Sequence, residues 1–179
     1  MFKFKLLSSS RNFHKNGTFV LGGTLVLASE LDSATGHGSV VVQGGTMSGT
    51  GGIVGSLKVG TGSGSGAILD PGNGTIPGTL AFQNHLILNG DATYNVLINS
   101  NTPASDQVTT KGIIIRGASV SFQDVGTALL PAGTTFTVIN NQLRQLRVLL
   151  ATWPTAQSLP SAVTSFRLGM KAAMGTISR

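Results

Sequence analysis

Residues 66–99 read GAILDPGNGTIPGTLAFQNHLILNGDATYNVLIN, and this stretch decides the fold. Its apolar runs are of strand length, and none has the three-to-four-residue spacing of an amphipathic helix. The first run stops at Asp70-Pro71-Gly72-Asn73, where proline fixes φ and glycine and asparagine suit the left-handed corners of a tight turn. Pro77-Gly78 and Asn89-Gly90 interrupt the later runs in the same way. The stretch therefore predicts a unit of strand, corner, strand, corner.

The same unit recurs from Gly17 onward. Glycine corners followed by alternating apolar residues return about every twenty residues, which is typical of a solenoid repeat. One such coil cannot bury its apolar face alone, so neighbouring coils must stack into a continuous core. We expect short stacked strands over residues 17–141, without α-helix. The expected core residues are Leu25, Leu27, Val40, Val42, Ile53, Leu57, Ile68, Leu80, Leu86, Leu88, Val96, Ile98, Ile113, Ile115, Val120, Phe122, Phe136 and Val138.

A β-sandwich is the alternative fold, because short strands at regular spacing suit it as well. The junctions argue against a sandwich, since most are loose and glycine-rich and lack the two-residue turns of hairpins. Antiparallel pairing between most consecutive strands would be the observation that favours it.

The central stretch resembles the strand repeats found in passenger regions of bacterial autotransporters and related secreted proteins. Those repeats join a Gly-x-Leu-x-Pro-Gly-Asn segment and a Gly-Thr-Leu to a Leu-x-Leu-Asn strand, followed by Tyr-x-Val-x-Ile and Ser-Asp-Gln. The resemblance covers residues 17–141 and departs at residues 82–85, where the family has a smaller turn. The matching residues are Gly66, Leu69, Pro71, Gly72, Asn73, Pro77, Gly78, Thr79, Leu80, Leu86, Leu88, Asn89, Tyr94, Val96, Ile98, Ser105, Asp106, Gln107 and Val108.

The resemblance implies an all-β fold, a right-handed single-stranded parallel β-helix, on an exported scaffold without catalytic residues. We accordingly expect a structural or presenting segment of a passenger protein, located at the cell surface or outside the cell. Cell-surface glycans or neighbouring repeats of the parent protein are its expected partners. Two alternatives stay open: a carbohydrate-active β-helix enzyme fragment, which needs acids converging in one groove, and an adhesin, which needs an exposed aromatic or apolar flank.

Composition and charge exclude other classes. Charged residues make up 10% of the chain, against about 25% in an average domain, and a hydrophobic content of 40% is too high for a disordered segment. The net charge of +6 comes from the flanks, because residues 17–141 contain all six acids but only Lys58, Lys111 and Arg116 as bases. A nucleic-acid-binding fold would carry basic residues in a stripe on its folded part. We therefore expect no nucleic-acid partner.

No segment predicts export or membrane insertion. The start, MFKFKLL, has two leucines before Ser8, short of the roughly seven to fifteen apolar residues of a signal peptide. No stretch approaches the ~20 apolar residues of a membrane span. The chain contains no cysteine, which excludes disulfides and cysteine-based metal sites.

The glycine-rich loop and the histidines predict neither a cofactor nor a metal site. The segment GSGSG at residues 62–66 is followed by a strand and a turn, whereas a phosphate-binding loop is followed by a helix. His14, His37 and His85 lie far apart, and none has metal-ligand spacing on one element.

The carboxylates do not predict catalysis. Asp70 and Asp91 fall in turns and Asp124 at a strand end, positions where aspartate often binds its own backbone. We expect Asp70 and Asp91 not to share a cleft. The chain is therefore expected not to be an enzyme and to have no catalytic, cofactor-binding or metal-binding residues.

The chain divides into three parts. Residues 1–16 are expected to be a non-native or disordered flank, and residues 17–141 are the repeat region. Residues 142–179 contain no acid, and their sole glycines are Gly169 and Gly175. Back-translating residues 171–179 and reading two bases later permits the Gly-Asp-rich string that closes such repeats. We predict that this tail is a poorly structured read in the wrong frame, loose or helical around residues 143–150. It would add no regular coil and would leave the last coil with an unpaired edge.

Overall fold

The computed structural model describes residues 3–6, 16–29, 33–64, 66–142, 147–150 and 164–167, and these residues form strands and corners without a helix. The described part of the chain accordingly has no helix that could span a membrane. In chain order the strands are β1 (Lys3–Leu6), β2 (Thr18–Val20), β3 (Thr24–Leu27), β4 (Val40–Val42), β5 (Gly45–Gly49), β6 (Gly52–Ile53), β7 (Leu57–Val59), β8 (Ala67–Pro71), β9 (Thr79–Phe82), β10 (His85–Leu88), β11 (Ala92–Asn99), β12 (Ala104–Ser105), β13 (Gln107–Thr110), β14 (Gly112–Ile115), β15 (Ser119–Asp124), β16 (Phe136–Asn141), β17 (Arg147–Leu150) and β18 (Thr164–Arg167).

The strands form three sheets. Sheet A has the order β1, β3, β5, β8, β11, β15, β18, with β12 paired to β11; sheet B has the order β2, β4, β7, β10, β14; sheet C has the order β6, β9, β13, β16, β17. The chain visits sheets B, A and C in turn, and strands of successive coils pair in parallel, as β4 does with β7. The five strands of sheet B correspond to about four turns. The predicted parallel β-solenoid is confirmed. A sandwich is built from antiparallel sheets. Because the strands of successive coils pair in parallel, the sandwich is excluded.

The interior is built from ladders of inward side chains at matching register positions. In sheet A, Leu25, Met47, Leu69, Tyr94 and Val120 are successive partners, and all five are buried. The predicted core residues are buried, apart from Ile68 and four that are partly buried and pack against the core: Ile113, Ile115, Phe122 and Phe136. Large core side chains that the sequence did not predict are Met47, Val59, Leu69, Phe82, Tyr94, Val108 and Ile139.

The prediction that Ile68 belongs to the core is wrong. Side chains alternate along β8, so Ala67 and Leu69 point inward and Ile68 points outward. Its register partners, Thr46 and Thr93, place it in an otherwise polar outer row.

The corner after β8 begins later than predicted. The strand continues through Asp70 and Pro71, and Gly72 and Gly74 take the left-handed conformation with φ of 77° and 79°. The side-chain oxygen of Asn73 accepts the backbone N–H groups of Thr75 at 3.0 Å and Ile76 at 2.8 Å. Two glycines therefore supply the left-handed positions, and the asparagine closes the turn with its side chain.

Additional strands lie at both ends of the stack. Strand β1 pairs in parallel with β3, whereas β17 and β18 pair antiparallel with β16 and β15. The described strands of the tail pair antiparallel and so do not continue the parallel coil. The helical alternative for the tail is wrong for residues 147–150, which form a strand; residues 143–146 lie outside the described part. The expectation of an unpaired last edge is wrong for sheets A and C, because antiparallel strands pair along it. In sheet B, β14 has no further neighbour among the described strands.

Candidate functional sites: held carboxylates and an outer apolar ladder

A fully buried carboxylate lies at the corner between sheets A and C. Asp106 is located between β12 and β13 and is 0% exposed. Its Oδ1 accepts the N–H of Gly78 at 2.7 Å, and its Oδ2 accepts the N–H of Leu97 at 2.8 Å. The backbone N–H of Asp106 donates in turn to the carbonyl of Leu97 at 2.8 Å. Asp106 therefore ties the end of β11 to the residue that precedes β9, one coil earlier.

Three ionisable side chains share this region. The pKa of Asp106 is raised to about 6: burial raises it most, its two backbone donors lower it, and the charge of Asp70 adds a smaller rise. Burial likewise raises the pKa of Asp70, while a hydrogen bond with the side chain of Asn95 lowers it by less. The hydroxyl of Tyr94 has its pKa raised by burial first and by the charge of Asp106 second. Asp106 therefore interacts electrostatically with both Asp70 and Tyr94 in a poorly solvated corner.

Asp70 and Asp106 are thus carboxylates that the fold brings near each other. Glycosidase chemistry needs two carboxyl groups that both face a substrate. Asp106 does not meet this condition, because it is fully buried and both of its oxygens accept backbone N–H groups. Asp106 instead connects two successive coils through hydrogen bonds to their backbones.

A second carboxylate, Asp91, is held by the glycine-rich loop of the preceding coil. Its Oδ2 accepts the N–H groups of Thr61 at 3.0 Å and Gly64 at 2.9 Å, and its Oδ1 accepts the N–H of Gly62 at 2.6 Å. Burial acts to raise the pKa of Asp91, but these backbone bonds together outweigh it and lower the pKa to about 2. Successive backbone N–H groups of this kind form a nest for an anion. Here the anion is the protein's own carboxylate.

The carboxylates of Asp70 and Asp91 belong to different corners. Ala92 pairs with Ala67, so Asp91 lies level with residue 66, four residues from Asp70 along the strand direction. At about 3.3 Å per residue this separation is about 13 Å. Paired glycosidase carboxylates lie roughly 5 to 9.5 Å apart, so these two do not have that geometry.

The remaining sequence candidates are also structural or exposed. The Oδ1 of Asp124 accepts the N–H groups of Ser100 at 3.0 Å and Gly126 at 2.8 Å. His37 and His85 are exposed, and His14 lies outside the described residues. Within the described ranges, no three His, Cys, Asp or Glu side chains come together as a metal-binding group.

Sheet B presents a single file of outward side chains. Its strands direct two residues toward the core and the one between them outward, as in Val40–Val42. The parallel register aligns these outward residues along the stack. At about 4.8 Å per strand, the file is about 19 Å long. We name it the outer ladder; it consists of Phe19, Val41, Lys58, Ile87 and Ile114.

The outer ladder combines exposed apolar surface with positive charge. Phe19 is 63% exposed, Leu21 beside it is 73% exposed, and Ile114 at the other end is 41% exposed. Lys58 lies within the ladder, and Lys111 and Arg116 immediately precede and follow β14. The five strands of sheet B contain no acidic residue. One flank of the solenoid is therefore both apolar and basic, and this combination is not apparent from the sequence, because its residues lie far apart along the chain.

Comparison with protein-family models, curated proteins and solved structures found no match to this chain.

Proposed function

We propose that this chain is a presenting segment of a bacterial surface or secreted passenger protein of the autotransporter type. Its role is to extend and display rather than to catalyse. The observation that carries the proposal is the stack itself, in which each coil buries its apolar face against the coils above and below it. The sequence resemblance supports the passenger assignment.

The carboxylates support a non-catalytic role. Asp91, Asp106 and Asp124 each accept backbone N–H groups from another coil or from a neighbouring turn. A general acid or nucleophile needs a carboxyl oxygen within reach of the substrate. Oxygens that accept backbone N–H groups hold the corners of the solenoid together instead.

Display can be tested with an epitope placed in the corner after β8. Gly74 is exposed, and no neighbouring atom lies within 4 Å of the position that a Cβ would take there. We expect an epitope inserted after Gly74 in the parent protein to be reached by antibody and by protease on intact bacteria. A cytoplasmic marker protein should stay protected in the same cells. An epitope that becomes accessible only after lysis would refute the display role.

The enzyme alternative needs a separate test. We expect the purified full chain to release no reducing sugar from common polysaccharides. Asp70 is the carboxylate of the Asp70–Asp106 pair that keeps partial solvent exposure, so Asp70→Asn is the relevant variant. Turnover by the wild type that disappears in Asp70→Asn would replace the presenting role with a catalytic one.

The adhesin alternative is favoured by one observation, the outer ladder of sheet B. Its exposed side chains, Phe19 and Ile114, are apolar contact points on one flank that an adhesin could apply to a target surface. Retention of the purified chain on a target surface, lost when Phe19 is replaced by serine, would support adhesion. Equal retention of the wild type and the Phe19→Ser variant would contradict an adhesin role.

A further inference from the structure

The outer ladder is too narrow for a stable interface with another protein. It is one residue wide and contains five side chains. Stable interfaces bury about 800 Å² and about 20–30 residues on each partner, which is at least about four times the number of residues in the ladder. A folded protein partner would need contacts well beyond the ladder.

A second copy of this chain is a poor partner for the same surface. Lys58 is the third of the five residues in the ladder. A two-fold axis that superposes two ladders in opposite directions therefore places Lys58 against Lys58 at its centre. Like charges in direct opposition destabilise such a contact. Shifting the register by one strand instead buries the ammonium group against Val41 or Ile87, which is also unfavourable.

We propose that the outer ladder binds peripherally to an anionic lipid surface. Phe19, Leu21 and Ile114 are exposed enough to enter the headgroup region, where apolar side chains are stabilised without crossing the bilayer. Lys58, Lys111 and Arg116 supply the positive charge that anionic headgroups attract. Acidic side chains, which would be repelled, are absent from the five strands of sheet B. The proposal rests on this flank alone and does not require that the parent protein be a surface passenger.

Vesicle flotation with the full chain tests the proposal. The vesicles consist of phosphatidylcholine, either pure or with about one third phosphatidylserine. We expect the chain to float with the phosphatidylserine vesicles and to remain in solution with pure phosphatidylcholine. Raising the salt concentration should weaken the binding, because the charge attraction is screened.

Two sets of variants distinguish lipid binding by the outer ladder from lipid binding by exposed apolar residues in general. Replacing both Phe19 and Ile114 by serine should lower the bound fraction about tenfold, since both apolar contacts with the headgroup region are lost. Ile76→Ser is the matched control, because Ile76 is 65% exposed but lies in a corner outside sheet B. It should bind within about twofold of the wild type. Lys58→Gln should weaken binding to the phosphatidylserine vesicles. Circular dichroism and thermal unfolding check that each variant is folded.

Three outcomes would overturn the proposal. The first is a wild-type chain that does not float with phosphatidylserine vesicles. The second is an Ile76→Ser variant that loses as much binding as the double variant, because this would assign the binding to exposed apolar residues in general. The third is a wild-type dimer in light scattering that the double variant converts to a monomer, because a second copy would then cover the ladder.

Discussion

The hydroxyl of Tyr94 donates a 2.7 Å hydrogen bond to the carbonyl of Val138, which lies 44 residues later in the chain and in a different sheet. Val138 is located where the pairing of β16 with β17 is irregular, between Thr137 and Asn140. Both residues are buried, and Tyr94 is among the largest fully buried side chains. The bond therefore joins sheets A and C through the core and satisfies a buried carbonyl at a break in the strand pairing.

Tyr94→Phe should reduce the free energy of unfolding by about 1–2 kcal/mol. The ring still fills the core, but the carbonyl of Val138 loses its hydroxyl donor. Urea unfolding followed by circular dichroism measures the change. Thr134→Val is the control, because it removes an exposed hydroxyl that donates to Pro131 at 2.7 Å, and it should cost less than about 0.5 kcal/mol. Equal losses in both variants would contradict a special role for the buried bond.

Asp106 should make the protein less stable as the pH rises from 4 to 7. Its pKa of about 6 in the folded state lies above the ordinary value of 3.8, so the folded state holds the proton more tightly than the unfolded state. The resulting stabilisation is full below about pH 4 and is lost as the pH rises through 6, a change of roughly 3 kcal/mol. Asp106→Asn cannot ionise. Its stability relative to the wild type should therefore increase by about this amount between pH 4 and pH 7 in urea unfolding. A difference that stays constant with pH would contradict the prediction.

Asp91 should have the opposite pH dependence. Its pKa of about 2 lies below the ordinary 3.8, so its contribution is present above about pH 4 and is lost as the pH falls through 2. Asp91→Asn should cost about 1 kcal/mol at pH 7, a value kept small because the site is partly solvated. The cost should shrink toward pH 2 in the same unfolding measurement. A cost that persists unchanged at pH 2 would mean that the carboxylate charge is not what the loop binds.

Gly49→Ala should destabilise the fold by at least about 2 kcal/mol. Gly49 has φ of 111°, and a Cβ there would collide with the backbone carbonyl of Leu27 on the neighbouring strand. Gly22→Ala is the matched control, because no atom lies within 4 Å of the corresponding Cβ position. It should be neutral or stabilising by up to about 1 kcal/mol, since it restricts the unfolded chain. Thermal unfolding of both variants gives the comparison, and similar melting temperatures would refute it.

The alternation of apolar residues in the sequence predicted most of the interior. It could not show in every strand which residues point inward. In Leu57-Lys58-Val59 the polar residue marks the outward position, so the inward pair is readable from the sequence. In Ala67-Ile68-Leu69 all three residues are apolar, so the sequence of this strand does not show that Ile68 points outward. The outward direction of Ile68 follows from its pairing with Thr46 and Thr93. This pairing between coils cannot be seen in the sequence of a single strand.

The candidate sites depend even more on contacts between distant residues. The donors to the Asp106 carboxylate are the backbone N–H groups of Gly78 and Leu97, 28 and 9 residues away. Almost every residue type has a backbone N–H group, so the sequence could not predict which residues donate to Asp106. The outer ladder was equally hidden, because its members come from strands at unequal intervals along the chain.

The reading frame of residues 142–179 stays a prediction. Strands β17 and β18 add antiparallel pairs at the end of the stack, and such pairing does not depend on a repeat motif. Sequencing the gene through Arg179 decides the matter. A frame that is intact to the end, with no Gly-Asp-rich string in the shifted frame, would contradict the frame-shift hypothesis.

The strand geometry of sheet B has an evolutionary consequence. Each strand directs one residue outward between two inward residues, so point mutations at five codons can change the whole outer ladder while the interior stays unchanged. In each strand of sheet B, the inward residues therefore determine folding, and the outward residue determines the chemistry of the surface. Selection on the flank can act quickly, because a new outward side chain carries little penalty in stability.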